Sequence, residues 1–423
     1  MKSVHITDLS AWCNISFEAI GGNPLKYAKH LFLNGEEVLD LIIPDGVTSI
    51  GREAFSGCIG LKSVSIPNSV ISIGDEAFLG CTGLKSVNIP NSVTSIAEEA
   101  FSGCSGLKSV SIPSSVTTIS DETFFGCTNL TSVTIEDGVK SIGSSVFEGC
   151  TRLLSIKIPQ SVTSVKDRAF YQCENLVSVT ISSHLTSMGE DAFTNCTKIS
   201  TVDLNCIDIG NWFSDAKESL ENVALGNSVT NVRNGTFSGC TKITSLDLNC
   251  KKIGNWFGDI NGSVQNVGLG EDVNSIDACA FLGFTNITSI AIPNNVTFIG
   301  NNAFNGCSGL TSIDIPASVT TIEKYAFYNC SGLTSVTIPN SVNEFGDCVF
   351  AGCSNLSSII IPNGLTSLGR SMFSGCTNLS SVSIPQSVTA IEDGTFYACK
   401  SLSSIAIPNS VKVIGELAFG YCI

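Results

Sequence analysis

Cysteine is the residue type with the most chemical potential in this chain: 19 occur among 423 residues. Clustered thiolates hold zinc, paired thiols form disulfides, and a thiol beside a base is a nucleophile. Fourteen of the 19 stand three residues after a phenylalanine, from Cys58 and Cys81 on to Cys422. No C-x-x-C pair occurs, so the spacing of a zinc ribbon is missing. A cysteine that returns at a fixed interval predicts a ladder of buried thiols, because free cysteine packs as a small apolar residue. Neighbouring rungs come near the roughly 4.4–6.8 Å Cα separation of a disulfide, but side chains stacked in parallel orient poorly for one. Cys13, Cys206, Cys250, Cys279 and Cys348 lie off the ladder, and Cys279 and Cys348 fall where exposure is expected.

Acids form a second recurrent set: Asp75-Glu76, Glu98-Glu99, Asp121-Glu122, Glu190-Asp191 and Glu392-Asp393, each just before a phenylalanine. Stacked, they could line a Ca²⁺-binding rim. Ser144-Ser145 and Asn301-Asn302 interrupt the series, which favours the plainer reading of acids at the positive end of a helical turn. The three histidines, His5, His30 and His184, stand in no nucleophile motif, and no phosphate-binding glycine loop occurs. No cofactor and no catalytic residue is expected. Sequons such as Asn286 and Asn378 matter only in a eukaryotic secretory setting.

These residues are positioned by a repeat. Phe55, Phe78, Phe101, Phe124, Phe147, Phe170 and Phe193 are each 23 residues apart. The interval stretches to 44 through Phe237 and Phe281, then returns to 23 as far as Phe419. Each 44-residue step holds one unit of 21 residues and one of 23, giving 17 units between Val38 and Leu402. In the unit Leu107–Cys127, Val110 and Ile112 alternate with Ser109 and Ser111, the pattern of a strand with one buried face. Pro113 ends the strand, since proline cannot donate to a ladder. Val116 and Ile119 predict a second short strand, and Asp121-Glu122 before Phe124 a single helical turn. One unit cannot bury its apolar side alone; stacked units can.

The units resemble the leucine-rich repeats of the BspA-like family, of pattern L-x-x-V-x-I-P-x-x-V-x-x-I-G-x-x-A-F-x-x-C. Leu61, Val64, Ile66, Pro67, Val70, Ile73, Gly74, Ala77, Phe78 and Cys81 carry the likeness, which extends over residues 38–423. It implies an α/β-type, strand-dominated leucine-rich-repeat solenoid of about 17 coils, with a parallel sheet on the concave face, short second strands and single helical turns elsewhere. It also implies a surface-exposed or secreted protein of a host-associated microbe that adheres to host or matrix molecules.

Residues 1–37 depart from the repeat and read as an N-terminal cap. Asn23-Pro24 opens a short helix, Leu31-Phe32-Leu33 with Asn34-Gly35 begins a hairpin, and Trp12 and Phe17 cover the first repeat. The chain stops at Cys422-Ile423 with no comparable cap. The expectation is that the natural protein continues, or that a partner or self-association covers this end.

The irregular units, near 199–219 and 243–263, repeat D-L-N-C followed by I-G-N-W-F, ending in Trp212-Phe213 and Trp256-Phe257. The family contains such short units too. Ala216, Ile260 and Phe284 stand where the cysteine is expected. Trp212 and Trp256 either fill space left by the shortened turn or form an aromatic pair for a sugar ring or partner side chain. Asp203, Glu221, Asp247 and Gln265 make the adjoining sheet face gently acidic.

The net charge of −15, with no cluster of Lys and Arg, excludes a nucleic-acid partner. No stretch approaches the roughly 18–20 apolar residues of a membrane helix. The N-terminus lacks the apolar run of a secretory signal, so either the protein is cytosolic or a signal has been removed. The function expected is a non-enzymatic module that binds a host or matrix protein or a glycan. The alternative is a rigid spacer presenting another domain, and an enzyme sited in the irregular middle ranks third.

Overall fold

A computed structural model describes residues 1–15, 17, 22–182 and 184–422. The chain is a parallel-stranded β-solenoid of about 18 turns with very little helix, in line with the units counted from the sequence. It divides into two compact units, Met1–Leu220 and Glu221–Ile423.

In each unit most coils supply one strand of three or four residues and a second of two; the coils that start at Ile287 and Leu402 supply only the second, Phe298–Ile299 and Val413–Ile414. Each strand pairs in parallel with the same positions one coil on, as Ser109, Val110, Ser111 and Ile112 pair with Ser132, Val133, Thr134 and Ile135. The second strands do likewise, Thr118 and Ile119 with Ser141 and Ile142. The alternation sorts the side chains as expected: Val110 and Ile112 are buried, and Ser109 and Ser111 face solvent. Between the two strands the proline carbonyl turns the chain, with Val116 N–H donating to Pro113 O at 3.1 Å.

The segment around each phenylalanine adds a third ladder that runs in the opposite sense. Strand amides donate to the preceding coil, as Lys85 N–H does to Lys62 O at 2.9 Å, whereas Glu76, Phe78 and Gly80 donate forward to Glu98, Ala100 and Ser102 at 2.9, 2.8 and 2.7 Å. Among the described residues of the repeats, single helical turns occur at Ser214–Ala216 and Gly258–Ile260, in the irregular coils. In regular coils the same segment is a chain of turns, because Glu76, Glu99 and Glu122 sit in left-handed backbone (φ 52°, 54° and 56°). This corrects the helix-dipole reading of the acids, since a helix N-terminus has no such residue. The acid three residues before the phenylalanine instead links coils: Asp121 Oδ1 accepts from Ser144 N–H at 2.8 Å, and Asp393 Oδ1 from Glu416 N–H at 2.8 Å.

The interior holds two stacked columns. From Phe55 to Phe193 each ring lies 5.1–5.7 Å from the next, nearly parallel. The second unit repeats this from Phe281 to Phe419 at 5.2–6.0 Å. Beside them run the thiols. Cys81, Cys104 and Cys127 each donate to the carbonyl of the phenylalanine 26 residues earlier, at 3.2, 3.2 and 3.3 Å. No disulfide joins the 19 cysteines, 16 of which are buried; Cys279, Cys348 and Cys422 are half-buried.

Ahead of the first coil, Val4–Ile6 pairs with Leu31–Leu33, which turns back as a hairpin with Glu36–Glu37. Asn23 Oδ1 caps the helix Leu25–Ala28 at 2.8 Å, with Pro24 already in helical geometry. Trp12 is buried and its indole N–H donates to Ala54 O at 2.8 Å; its ring lies 5.7 Å from that of Phe17. An ionic cluster holds this segment to the coils. Lys26 Nζ lies 3.1 Å from both the fully buried Glu53 and Glu76, and Arg52 lies 3.5 Å from Glu76. Lys26→Met removes the near partner of a buried carboxylate. Losing such a partner costs about 3–5 kcal/mol, and because Arg52 remains we expect about 2 kcal/mol here. The first coils should then open at lower denaturant than the rest, read as earlier Trp12 fluorescence change; unchanged Trp12 fluorescence midpoints would contradict this.

Candidate functional site

The candidate residues fall on two different parts of the coil. Asp203 lies on the outward side of strand Thr201–Leu204 in the first unit, and Asp247 on the outward side of Ser245–Leu248 in the second; both are exposed. Glu221 and Gln265 are exposed just ahead of strands Asn222–Leu225 and Asn266–Leu269. They bracket Thr244, whose N–H donates to Glu221 O at 3.0 Å and whose carbonyl accepts from Gln265 N–H at 2.9 Å. Asp247 is thus on the sheet face of the second unit, with Glu221 and Gln265 at the entrance to the neighbouring strands. On the same face of the first unit, Ser65, Ser86, Asn88, Ser109, Ser111 and Ser132 are all exposed.

The tryptophans are not on that face. Trp212 belongs to the first unit and Trp256 to the second, each following a second strand, and both are half-buried. Each indole is held on two sides. Its N–H edge lies where a Cβ on Gly210 or Gly254 would sit, 2.7 Å away, so only glycine leaves room. Its ring meets the next phenylalanine edge-on, 6.3 Å from Phe213 and 6.5 Å from Phe257.

Phe213 and Phe257 were not foreseen as rungs. Phe213 stacks on Phe193 at 5.5 Å and Phe257 on Phe237 at 5.2 Å, so they carry the aromatic column through coils where the interval looked interrupted. Their spacings of 20 and 24 residues, and Ala216 and Ile260 in place of cysteine, hid them. Ala216, Ile260 and Phe284 are buried, as expected of substitutes for the thiol.

The second unit has a pocket of about 290 Å³ beside Trp256, lined also by Asn234, Gly235, Ser238, Asn255 and Asp259. The equivalent positions of the first unit, 44 residues earlier, differ: Asp191 stands for Gly235 and Asn195 for Gly239. There Asp215 Oδ2 accepts the Asn195 N–H at 2.7 Å.

Burial pushes the thiols of Cys127 and Cys353 up to about 12, and those of Cys81, Cys104 and Cys150 well above the ordinary value, so the nucleophilic thiolate is suppressed. No helix among the described residues is long and apolar enough to cross a membrane.

Three solved structures illustrate the likeness to known proteins. A leucine-rich repeat protein from Bacteroides ovatus is 26% identical, over 77% of this chain and 88% of that one, with a TM-score of 0.37. A leucine rich cell surface protein from Faecalibacterium prausnitzii is 27% identical, over 76% and 87%, with a TM-score of 0.37. One from Eubacterium ventriosum is 23% identical, over 91% and 83%, with a TM-score of 0.29. No curated protein matches the chain. The family model for the BspA type leucine rich repeat region matches residues 26–153, 117–244, 206–311 and 297–423. With its stacked coils, phenylalanine and thiol columns and this nearly complete match, the chain belongs to the BspA-type leucine-rich-repeat family.

Proposed function

We propose that this chain is a non-enzymatic binding module of a microbial cell surface or secretion, presenting its long-strand sheet to a host or matrix protein or glycan. The observation that carries the reading is an open parallel sheet. Parallel sheets are ordinarily covered on both faces; here the outward side chains of consecutive strands, such as Ser86, Ser109, Ser132 and Ser155, stay exposed. A face of small hydroxyls with scattered carboxylates suits contacts summed over area. It lacks the aromatic and arginine anchors of a tight hot spot, so multivalent display would supply avidity.

The test is a panel of immobilised matrix proteins and glycans, probed with the whole chain clustered on beads. Asp203→Lys, Glu221→Lys and Asp247→Lys together should weaken capture about tenfold, equivalent to about 1.4 kcal/mol, with the circular dichroism unchanged. Capture by nothing on the panel would favour a rigid spacer instead, and capture indifferent to the triple variant would remove this face from the reading.

A further inference from the structure

We infer that the pocket beside Trp256 is a binding site for one neutral pyranose ring. This goes beyond the sheet-face reading and uses a different part of the coil. Both irregular coils hold an indole in the same way, on a glycine and against a phenylalanine edge, yet the second unit has the pocket described above and the first has side chains at the matching positions. The cause lies one coil earlier in sequence. Gly235, which lines the pocket, stands where the first unit carries Asp191, and a Cβ built on Gly235 would meet nothing within 4 Å. The missing side chain leaves a recess beside the fixed indole of Trp256.

The lining fits a sugar better than other small ligands. Its volume, about 290 Å³, lies at the lower end of the roughly 300–1,000 Å³ of ligand pockets, room for a single ring. Half-buried Trp256 supplies an apolar patch for C–H groups of a pyranose. Asn234, Ser238, Asn255 and Asp259, all exposed, supply amide, hydroxyl and carboxylate groups for its hydroxyls. Asp259 is the one charged residue of the lining and no cationic side chain joins it, which selects against uronic and sialic acids. In the first unit the matching carboxylate, Asp215, is already engaged by the Asn195 amide. The prefixed indole costs a ligand no ordering of the side chain, the condition under which a small site can bind at all.

The experiment titrates the whole chain with glucose, galactose, mannose and N-acetylglucosamine, with glucuronic acid as the charged control, following ¹H–¹⁵N shifts of the indole N–H groups. The expected result is saturable millimolar binding of at least one neutral sugar, read at Trp256. Binding should fall at least tenfold in Trp256→Ala and in Gly235→Asp, which restores to the pocket the side chain the first unit carries. Trp212→Ala should leave it unchanged. Because Asp191 occupies left-handed backbone at φ 56° without harm, Gly235→Asp should fold even if Trp256→Ala does not. No saturable sugar binding, equal binding of glucuronic acid, or binding that survives Gly235→Asp would overturn the inference. A short peptide that binds here while sugars do not would overturn it too. The lysine variants of Asp203, Glu221 and Asp247 should leave sugar binding untouched, so failure of the sheet-face reading and failure of this one give separate signatures.

Discussion

Raising the pH to about 10 should unfold the chain well before most β-rich proteins yield, and its buried thiols, on and off the columns, are the reason. An unfolded cysteine releases its proton near 9.0, whereas burial pushes Cys13, Cys127, Cys250, Cys353 and Cys399 up to about 12. Between those values the unfolded chain binds fewer protons than the folded one, so stability falls as pH rises. One pH unit above the ordinary value costs about 1.4 kcal/mol for each thiol kept neutral. For these five alone that is about 7 kcal/mol at pH 10, within the 5–15 kcal/mol of a typical net stability. Lys26 acts in the same direction. Desolvation would lower its pKa, but the pairs with Glu53 and Glu76 outweigh that and raise it from 10.5, so its contribution is lost as pH rises through the raised value. Urea unfolding under reducing conditions, repeated in steps from neutral to about pH 10, should show the midpoint falling steeply above the ordinary thiol range. A flat midpoint across that range would mean that the thiols are exposed or already oxidised.

The second large effect belongs to the phenylalanine column. Phe124→Ala is expected to cost about 3–5 kcal/mol, the loss typical of a buried aromatic whose site cannot collapse. Its ring is fully buried and stacks on Phe101 at 5.5 Å and on Phe147 at 5.7 Å. In an array whose units contact only their neighbours, the damage should spread as a local loosening of adjoining coils. Thermal melts should become broader or split, with Tm lowered by several degrees. An unshifted, single transition would show that the rings do not share one interior.

Most of this interior was readable in advance. Alternation around Val110 and Ile112, the proline stop and the phenylalanine interval each answer to burial of one side of a strand, which a single chain displays directly. Two features depended on something a linear pattern does not carry. The acids before each phenylalanine looked like the start of a helical turn, but stacking demands a tight turn whose amides reach the next coil, and this puts Glu76, Glu99 and Glu122 in left-handed backbone. Glycines with positive φ two residues after the phenylalanine, such as Gly80 and Gly103, were the available hint that the segment is all turn. The recess at Trp256 was illegible for another reason. It lies against Gly235, about one coil away, where the first unit carries the side chain of Asp191, and only the stacked register brings that gap against the indole. Alternation along their strands gave Asp203 and Asp247 their outward side, whereas Glu221 and Gln265 lie just ahead of their strands, where alternation does not fix a face.

Native-state amide hydrogen exchange resolved by residue tests the central claim, that within each unit successive coils are bonded and packed on one another around a common interior. The account predicts that the amides of Phe78 and Phe101, which donate forward to Ala100 and Thr123, exchange as slowly as strand amides such as Val110 and Val133. Phenylalanine amides exchanging at the rate of open loops, beside protected strands, would show that the coils are not closed on their third side and would contradict it.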